Sequence, residues 1–67
     1  MGDAEFIQYC RIHSTTERAL FNAPQVARLC RLAGEDALAA RWAELPDNHW
    51  RSLDLTDLCD QARKDRP

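Results

Sequence analysis

The sequence has few of the residues from which β-sheets are usually built. Its 67 residues include one valine and two isoleucines, against ten alanines and eight leucines. Alanine and leucine lose little conformational entropy in a helix, whereas strands favour β-branched and aromatic side chains. Glycine and proline are also rare, with two and three residues, while 45% of the chain is apolar. This composition excludes a disordered tail or a flexible linker and predicts a globular, all-α fold.

The chain is too short to build more than one hydrophobic core. A domain of this length buries only about 60% of the surface that its unfolded chain exposes. We therefore predict one small helical domain over residues 1–67, with a tail that frays from about residue 63. Length alone excludes catalytic architectures that need a large sheet or barrel.

The chain lacks the basic excess that duplex-binding domains usually show. Nine lysines and arginines face eleven aspartates and glutamates, which gives a net charge of −2. Phosphate neutralisation supplies most of the affinity for a duplex, so this balance disfavours nucleic acid as a partner. The acidic excess is in turn too small to indicate a mimic of nucleic acid.

Long apolar runs and the features of a secretory signal are missing as well. The longest wholly apolar run, residues 37–40, is four residues long, whereas a membrane-spanning helix needs about 20. The first residues have neither the positive charge nor the apolar stretch of a signal peptide. Three cysteines are an odd number, which does not fit the disulfide framework of a small secreted domain. We expect a cytoplasmic protein with reduced thiols, no membrane contact and no cofactor.

Apolar spacing and capping signals predict a compact bundle of four to five short helices. The first helix is predicted over residues 3–13, where apolar side chains form one stripe. The segment Ser-Thr-Thr-Glu at residues 14–17 fits a capping box, which predicts a short second helix over residues 15–21. Asn22 follows at a position where a left-handed residue ends a helix.

The second half of the chain carries equally clear boundaries. The third and fourth helices are predicted over residues 24–33 and 35–45, with Gly34 as the left-handed residue between them. A polar connector follows over residues 47–51, and Asp54 is the predicted N-cap of the last helix. The apolar stripes of these helices predict a core made of Phe6, Cys10, Leu20, Val26, Leu29, Cys30, Leu38, Trp42, Leu45, Leu55, Leu58, Cys59 and Ala62.

The third and fourth helices together resemble a helix-turn-helix motif. Cys30 is a small residue four positions before Gly34, which is similar to the alanine-to-glycine spacing of that motif. A DNA-reading second helix presents base-contacting side chains at its start, whereas this one presents Glu35 and Asp36, which phosphates would repel. A plain helical hairpin is the simpler interpretation.

The cysteines and histidines are candidates for a metal site. Cys10 and His13 have metal-ligand spacing, and Cys30 and Cys59 would complete a set of four. A structural zinc site usually has a second close pair, which is absent, and all three cysteines fall on predicted apolar stripes. We therefore predict core cysteines and no metal. No spacing singles out a nucleophile with its base, so we do not expect an enzyme.

Two groups of residues are candidates for binding a partner. His49, Trp50 and Arg51 lie in the predicted connector, and tryptophan and arginine are enriched in interface hot spots. Arg28 and Arg31 lie on the flank of the third helix and suit an acidic partner or phosphates. Each group also has a plainer interpretation, because Trp50 can fill a gap between helices and the two arginines can form a solvated face.

These observations, mostly by elimination, predict a non-catalytic protein–protein interaction module. Such a module would be an adaptor, a small regulatory subunit or an inhibitor of a larger protein, and one version is a phage or plasmid accessory protein that blocks a host enzyme. Two alternatives stay open, a helix-turn-helix DNA-binding regulator and a homodimeric assembly domain. No motif in the chain identifies a particular family.

Overall fold

A computed structural model describes residues 2–64 of the chain as four helices and one two-stranded sheet. The prediction of an all-α bundle is therefore wrong, because the fold is mixed α/β, although most of it is helical. The elements in chain order are α1 (Asp3–Thr15), β1 (Ala19–Asn22), α2 (Ala23–Leu32), α3 (Asp36–Ala43), β2 (Trp50–Leu53) and α4 (Thr56–Lys64).

Strand β1 takes the place of the short helix predicted over residues 15–21. The hydroxyls of Ser14, Thr15 and Thr16 donate to carbonyls of the preceding turn of α1, at 3.1, 2.9 and 3.2 Å. Glu17 then has a left-handed backbone with φ of 57°, which stops the helix and redirects the chain. The capping-box prediction failed because Ser and Thr side chains can bond back onto the helix they end instead of capping a new one.

Strand β2 forms where a polar connector was predicted. It pairs with β1 in an antiparallel register that sets Phe21 opposite Arg51 and Asn22 opposite Trp50. Paired residues share a face of the sheet and neighbours along a strand alternate. Phe21 is 1% exposed and the adjacent Leu20 is 65% exposed. The prediction that Leu20 is a core residue is therefore wrong, because the strand turns it to the outer face of the sheet.

The helix pair α2 and α3 lies where the sequence predicts it, with each helix end shifted by one or two residues. The cap at the start of α2 differs from the prediction. Asn22 is the N-cap of α2: its Oδ1 accepts from the Gln25 amide at 3.0 Å, and Gln25 Oε1 accepts from the Asn22 amide at 2.9 Å. This reciprocal capping box replaces the left-handed residue predicted for Asn22. Gly34 does have φ of 80°, and the Glu35 amide donates to the Cys30 carbonyl at 2.8 Å, as in a Schellman motif.

Replacing Gly34 by alanine is expected to lower the free energy of unfolding by about 1 kcal/mol, because a Cβ disfavours the left-handed backbone. Urea denaturation followed by circular dichroism measures the change. A free energy of unfolding equal to that of the wild type would contradict the left-handed assignment of Gly34.

The core lies where α1, α2 and α4 pack together under the inner face of the sheet. Eight of the predicted core residues are buried: Phe6, Cys10, Val26, Leu29, Cys30, Leu55, Cys59 and Ala62. Four others, Leu38, Trp42, Leu45 and Leu58, are only half-buried. Within residues 2–64, six apolar residues absent from the predicted core are buried as well: Ala23, Ala27, Ala33, Ala39, Ile7 and Phe21.

Helix α4 begins close to its predicted N-cap. Asp54 Oδ1 accepts from the Thr56 hydroxyl at 2.6 Å and from the Thr56 amide at 3.0 Å, and these bonds hold the pKa of the Asp54 carboxyl below its ordinary value. The Ser14 and Thr56 hydroxyls, 2.9 Å apart, join α1 to α4. The predicted fraying tail includes residues 65–67, which lie outside the described residues.

Candidate functional site

An open groove lies between α2, α3 and the loop that follows α3. Its volume is about 210 Å³, and residues 2–64 contribute five apolar residues, one arginine and one aspartate to its lining. The α2 residues in it recur at helical spacing, so they share one face of that helix. The lining residues are Pro24, Ala27, Arg31, Trp42, Ala43, Leu45 and Asp47.

Backbone hydrogen bonds hold the loop that closes the groove. After α3, the Leu45 amide donates to the Trp42 carbonyl at 3.2 Å, and the His49 amide donates to the Pro46 carbonyl at 2.9 Å. The Ala23 amide, at the start of α2, donates to the His49 carbonyl at 3.1 Å. The loop between α3 and β2 is therefore fixed at both ends, and Asp47 is carried to the same groove as the first turn of α2.

Trp42, His49 and Arg51 form a chain of contacts beside the groove. The rings of Trp42 and His49 meet edge to face, with centroids 6.4 Å apart and planes at 68°. Arg51 Nε donates to His49 Nε2 at 2.9 Å. Two of the predicted site residues, His49 and Arg51, are thus linked to the groove through Trp42.

Trp50 lies on the other side of the sheet from His49 and Arg51. The residue is 53% exposed, and it shares the outer face with Leu20, its diagonal neighbour across the strand pair. The three adjacent residues predicted as one cluster are therefore divided between two surfaces. The reason is the alternation of side chains along a strand, which a polar connector would not impose.

Arg28 and Arg31 also have different surroundings. Arg28 Nη2 donates to Asp3 Oδ1 at 2.7 Å, and its guanidinium carbon lies 4.4 Å from the centroid of the Phe6 ring. These contacts hold α1 against α2, so Arg28 has a structural role. The guanidinium of Arg31 is exposed and makes no hydrogen bond or ion pair with any side chain or carbonyl in residues 2–64. Arg31 is thus available to a ligand at the rim of the groove.

The three cysteines are free and fully buried. A hydrogen bond to Cys10 raises the pKa of Cys59 above its ordinary value, and burial raises the pKa of Cys30. His13 stacks instead on Tyr9, with ring centroids 4.2 Å apart. Within residues 2–64 no cluster of histidine, cysteine and carboxylate side chains has an arrangement that could hold a metal ion.

The groove itself was not predicted from the sequence, although one signal pointed to it. Ala27 and Trp42 lie at similar distances on either side of Gly34, so a helical hairpin brings them to the same level of the helix pair. Trp42 was assigned to the core because it is in register with Leu38 and Leu45. Ala27 and Trp42 both line the groove, and Trp42 is only half-buried against the core.

Comparisons with known proteins assign no relative to this fold. Neither protein-family models, nor curated proteins, nor solved structures give a match to the chain. No helix in the described part of the chain has the length and apolar content to cross a bilayer. Function must therefore be argued from the geometry of the groove and of the sheet.

Proposed function

We propose that the protein is a non-catalytic protein–protein interaction module that binds its partner at the groove between α2 and α3. The observation that carries the proposal is an open groove lined by Trp42 and by the exposed residue Arg31. Tryptophan and arginine together are the residues most enriched where alanine substitution costs binding energy. The adaptor, regulatory subunit and inhibitor versions of this function all use such a surface.

The size of the groove favours a protein partner over a substrate. Pockets for small-molecule ligands usually enclose about 300–1,000 Å³, whereas this groove encloses about 210 Å³ and is open to solvent. A space of this size suits one inserted side chain of a partner. The buried thiols also argue against catalysis, because a nucleophile must reach its substrate. Free thiols suit a cytoplasmic location, which we include in the proposal.

A homodimeric assembly domain is a second candidate, favoured by the outer face of the sheet. Leu20 and Trp50 expose large apolar surfaces there, at 65% and 53%, and a second copy could cover them. Sedimentation velocity of the wild type and of Leu20→Ser separates the two candidates. A dimer that the substitution abolishes supports assembly, and a monomer at all concentrations leaves the groove as the functional surface. No observation favours the helix-turn-helix alternative. Helix α3 begins at Asp36, directly after Glu35, and phosphates would repel both carboxylates.

Arg31→Gln is expected to weaken partner binding by about 2 kcal/mol, the loss typical of a hot-spot residue. The test is affinity capture from the native host with the wild type as bait, followed by titration of the captured protein against each variant. Arg63→Gln is the matched control, because Arg63 is an exposed arginine on α4 that does not line the groove. Far-ultraviolet circular dichroism confirms that each variant is folded.

A further variant in the same titration tests the outer face of the sheet. Trp50→Ala should bind the captured partner as tightly as the wild type, since Trp50 faces away from the groove. Weakened binding in Trp50→Ala together with unchanged binding in Arg31→Gln would move the interface to the outer face of the sheet. Absence of any specifically captured protein would contradict an interaction module altogether.

A further inference from the structure

We propose that the groove binds the C-terminal residue of a partner chain, when that residue has an apolar side chain and a free α-carboxylate. This inference rests on the proposed function and names the chemistry that the groove recognises. It follows from three features that lie together in the groove, which are an apolar wall, a guanidinium and a carboxylate.

The charges at the rim are complementary to the two polar ends of a terminal residue. The exposed guanidinium of Arg31 matches the flat, bidentate geometry of a carboxylate. Asp47 is exposed and makes no hydrogen bond or ion pair with the rest of residues 2–64, so its carboxylate can accept the backbone N–H of the same terminal residue. One residue therefore supplies both partners that the rim lacks.

The same charges disfavour a simple anion as the occupant. A phosphate group carries about two negative charges at neutral pH, and Asp47 would repel it while Arg31 attracts it. A terminal residue has one negative group and, a few bonds away, a hydrogen-bond donor. A ligand with this dipolar pattern is complementary to Arg31 and Asp47 together.

The apolar wall explains why the terminal residue needs an apolar side chain. Ala27 and Trp42 face the groove from opposite helices, with Leu45 from the loop. An apolar cavity of about 150 Å³ can hold benzene, so a groove of about 210 Å³ has room for one branched or aromatic side chain.

The probe for this inference is N-acetyl-leucine, which has the isobutyl group, the carboxylate and the N–H of a C-terminal leucine. Titration of the ¹⁵N-labelled full chain should give saturable shifts at Ala27, Arg31 and the Trp42 indole, with a Kd on the order of 1 mM for a ligand of this size. N-acetyl-leucinamide lacks the carboxylate and should bind about tenfold more weakly, because a charge-assisted bond is lost.

Binding to variants tests whether Arg31 is the residue that recognises the carboxylate. In Arg31→Gln, N-acetyl-leucine should bind about tenfold more weakly, and no better than its amide, because the two changes remove the same interaction. Asp47→Asn should weaken binding of N-acetyl-leucinamide, which has the N–H and no carboxylate for Asp47 to repel. Arg63→Gln should bind both compounds as the wild type does.

Three results would overturn the inference. They are equal affinity for the acid and the amide, equal shifts with acetate, and shifts confined to Leu20 and Trp50 on the outer sheet face. If a captured partner still depends on Arg31 while N-acetyl-leucine shows no carboxylate dependence, the interaction module stands and only the terminal-residue chemistry fails. If partner capture fails as well, the proposed function fails with it.

Discussion

Replacing Phe21 by alanine is expected to unfold most of the protein. Phe21 is the largest of the fully buried side chains, with 1% of its surface exposed, and it projects from β1 into the core. Truncating a buried phenylalanine costs about 3–5 kcal/mol, while a core of this size rarely supplies more than about 3–5 kcal/mol in total. Far-ultraviolet circular dichroism without denaturant should therefore show a large loss of helical signal.

The matched control is the adjacent residue. Leu20 is 65% exposed on the other face of the same strand, so Leu20→Ala should change the free energy of unfolding by no more than about 0.5 kcal/mol. The pair of variants tests the strand directly, because the helix predicted over residues 15–21 placed Leu20 in the core. Comparable loss of stability in both variants, or a greater loss in Leu20→Ala, would contradict the register of β1.

Leu29→Ala is expected to have the second largest effect. Leu29 is fully buried on α2, and α2 is the helix that contacts α3, α4 and β1. Removing such a side chain costs about 2–5 kcal/mol, depending on how far the surrounding atoms close the cavity. In a domain of 60–100 residues each 1 kcal/mol lowers the Tm by about 4–8 °C, so thermal unfolding should show a fall of about 10 °C or more.

Leu32→Ala controls for the change of residue type on the same helix. Leu32 is half-buried and packs against the edge of the core. Leu32→Ala should therefore lower the stability of the protein clearly less than Leu29→Ala does. A smaller fall in Tm for Leu29→Ala than for Leu32→Ala would mean that α2 presents a different face to the core. That result would also contradict the placement of Arg31 and of the groove, because α2 carries Arg31 and part of the groove lining.

The helix pair at the centre of the fold was predictable because its signals are local. Gly34 ends α2 because glycine readily adopts the left-handed backbone. Val26, Leu29 and Cys30 recur at i, i+3 and i+4, so they share one apolar face of the helix, and that face is turned to the core whichever elements pack against it. The buried cysteines followed from the same spacing. Each of these features depends on residues within one or two helical turns.

The sheet was not predictable in this way. Residues 23–49 separate its two strands, and each strand is four residues long. Four residues show too little alternation of apolar and polar side chains to predict a strand. Pairing depends on where α2 and α3 bring the ends of the intervening segment, which is a long-range outcome. Only that pairing decides that Phe21 is buried while Leu20 and Trp50 are exposed.

The candidate site likewise has a part that the sequence predicts and a part that only the tertiary structure determines. The sequence by itself determined a helix–glycine–helix unit with Arg28 and Arg31 on its flank, because periodicity and capping act within a few residues. The tertiary structure alone decided that Arg28 bonds to Asp3 while Arg31 stays exposed. It also decided that Trp42, half-buried against the core, lines a groove. The physical reason is that a side chain's burial and its ion pairs depend on which distant elements pack against it, and sequence spacing does not encode those neighbours.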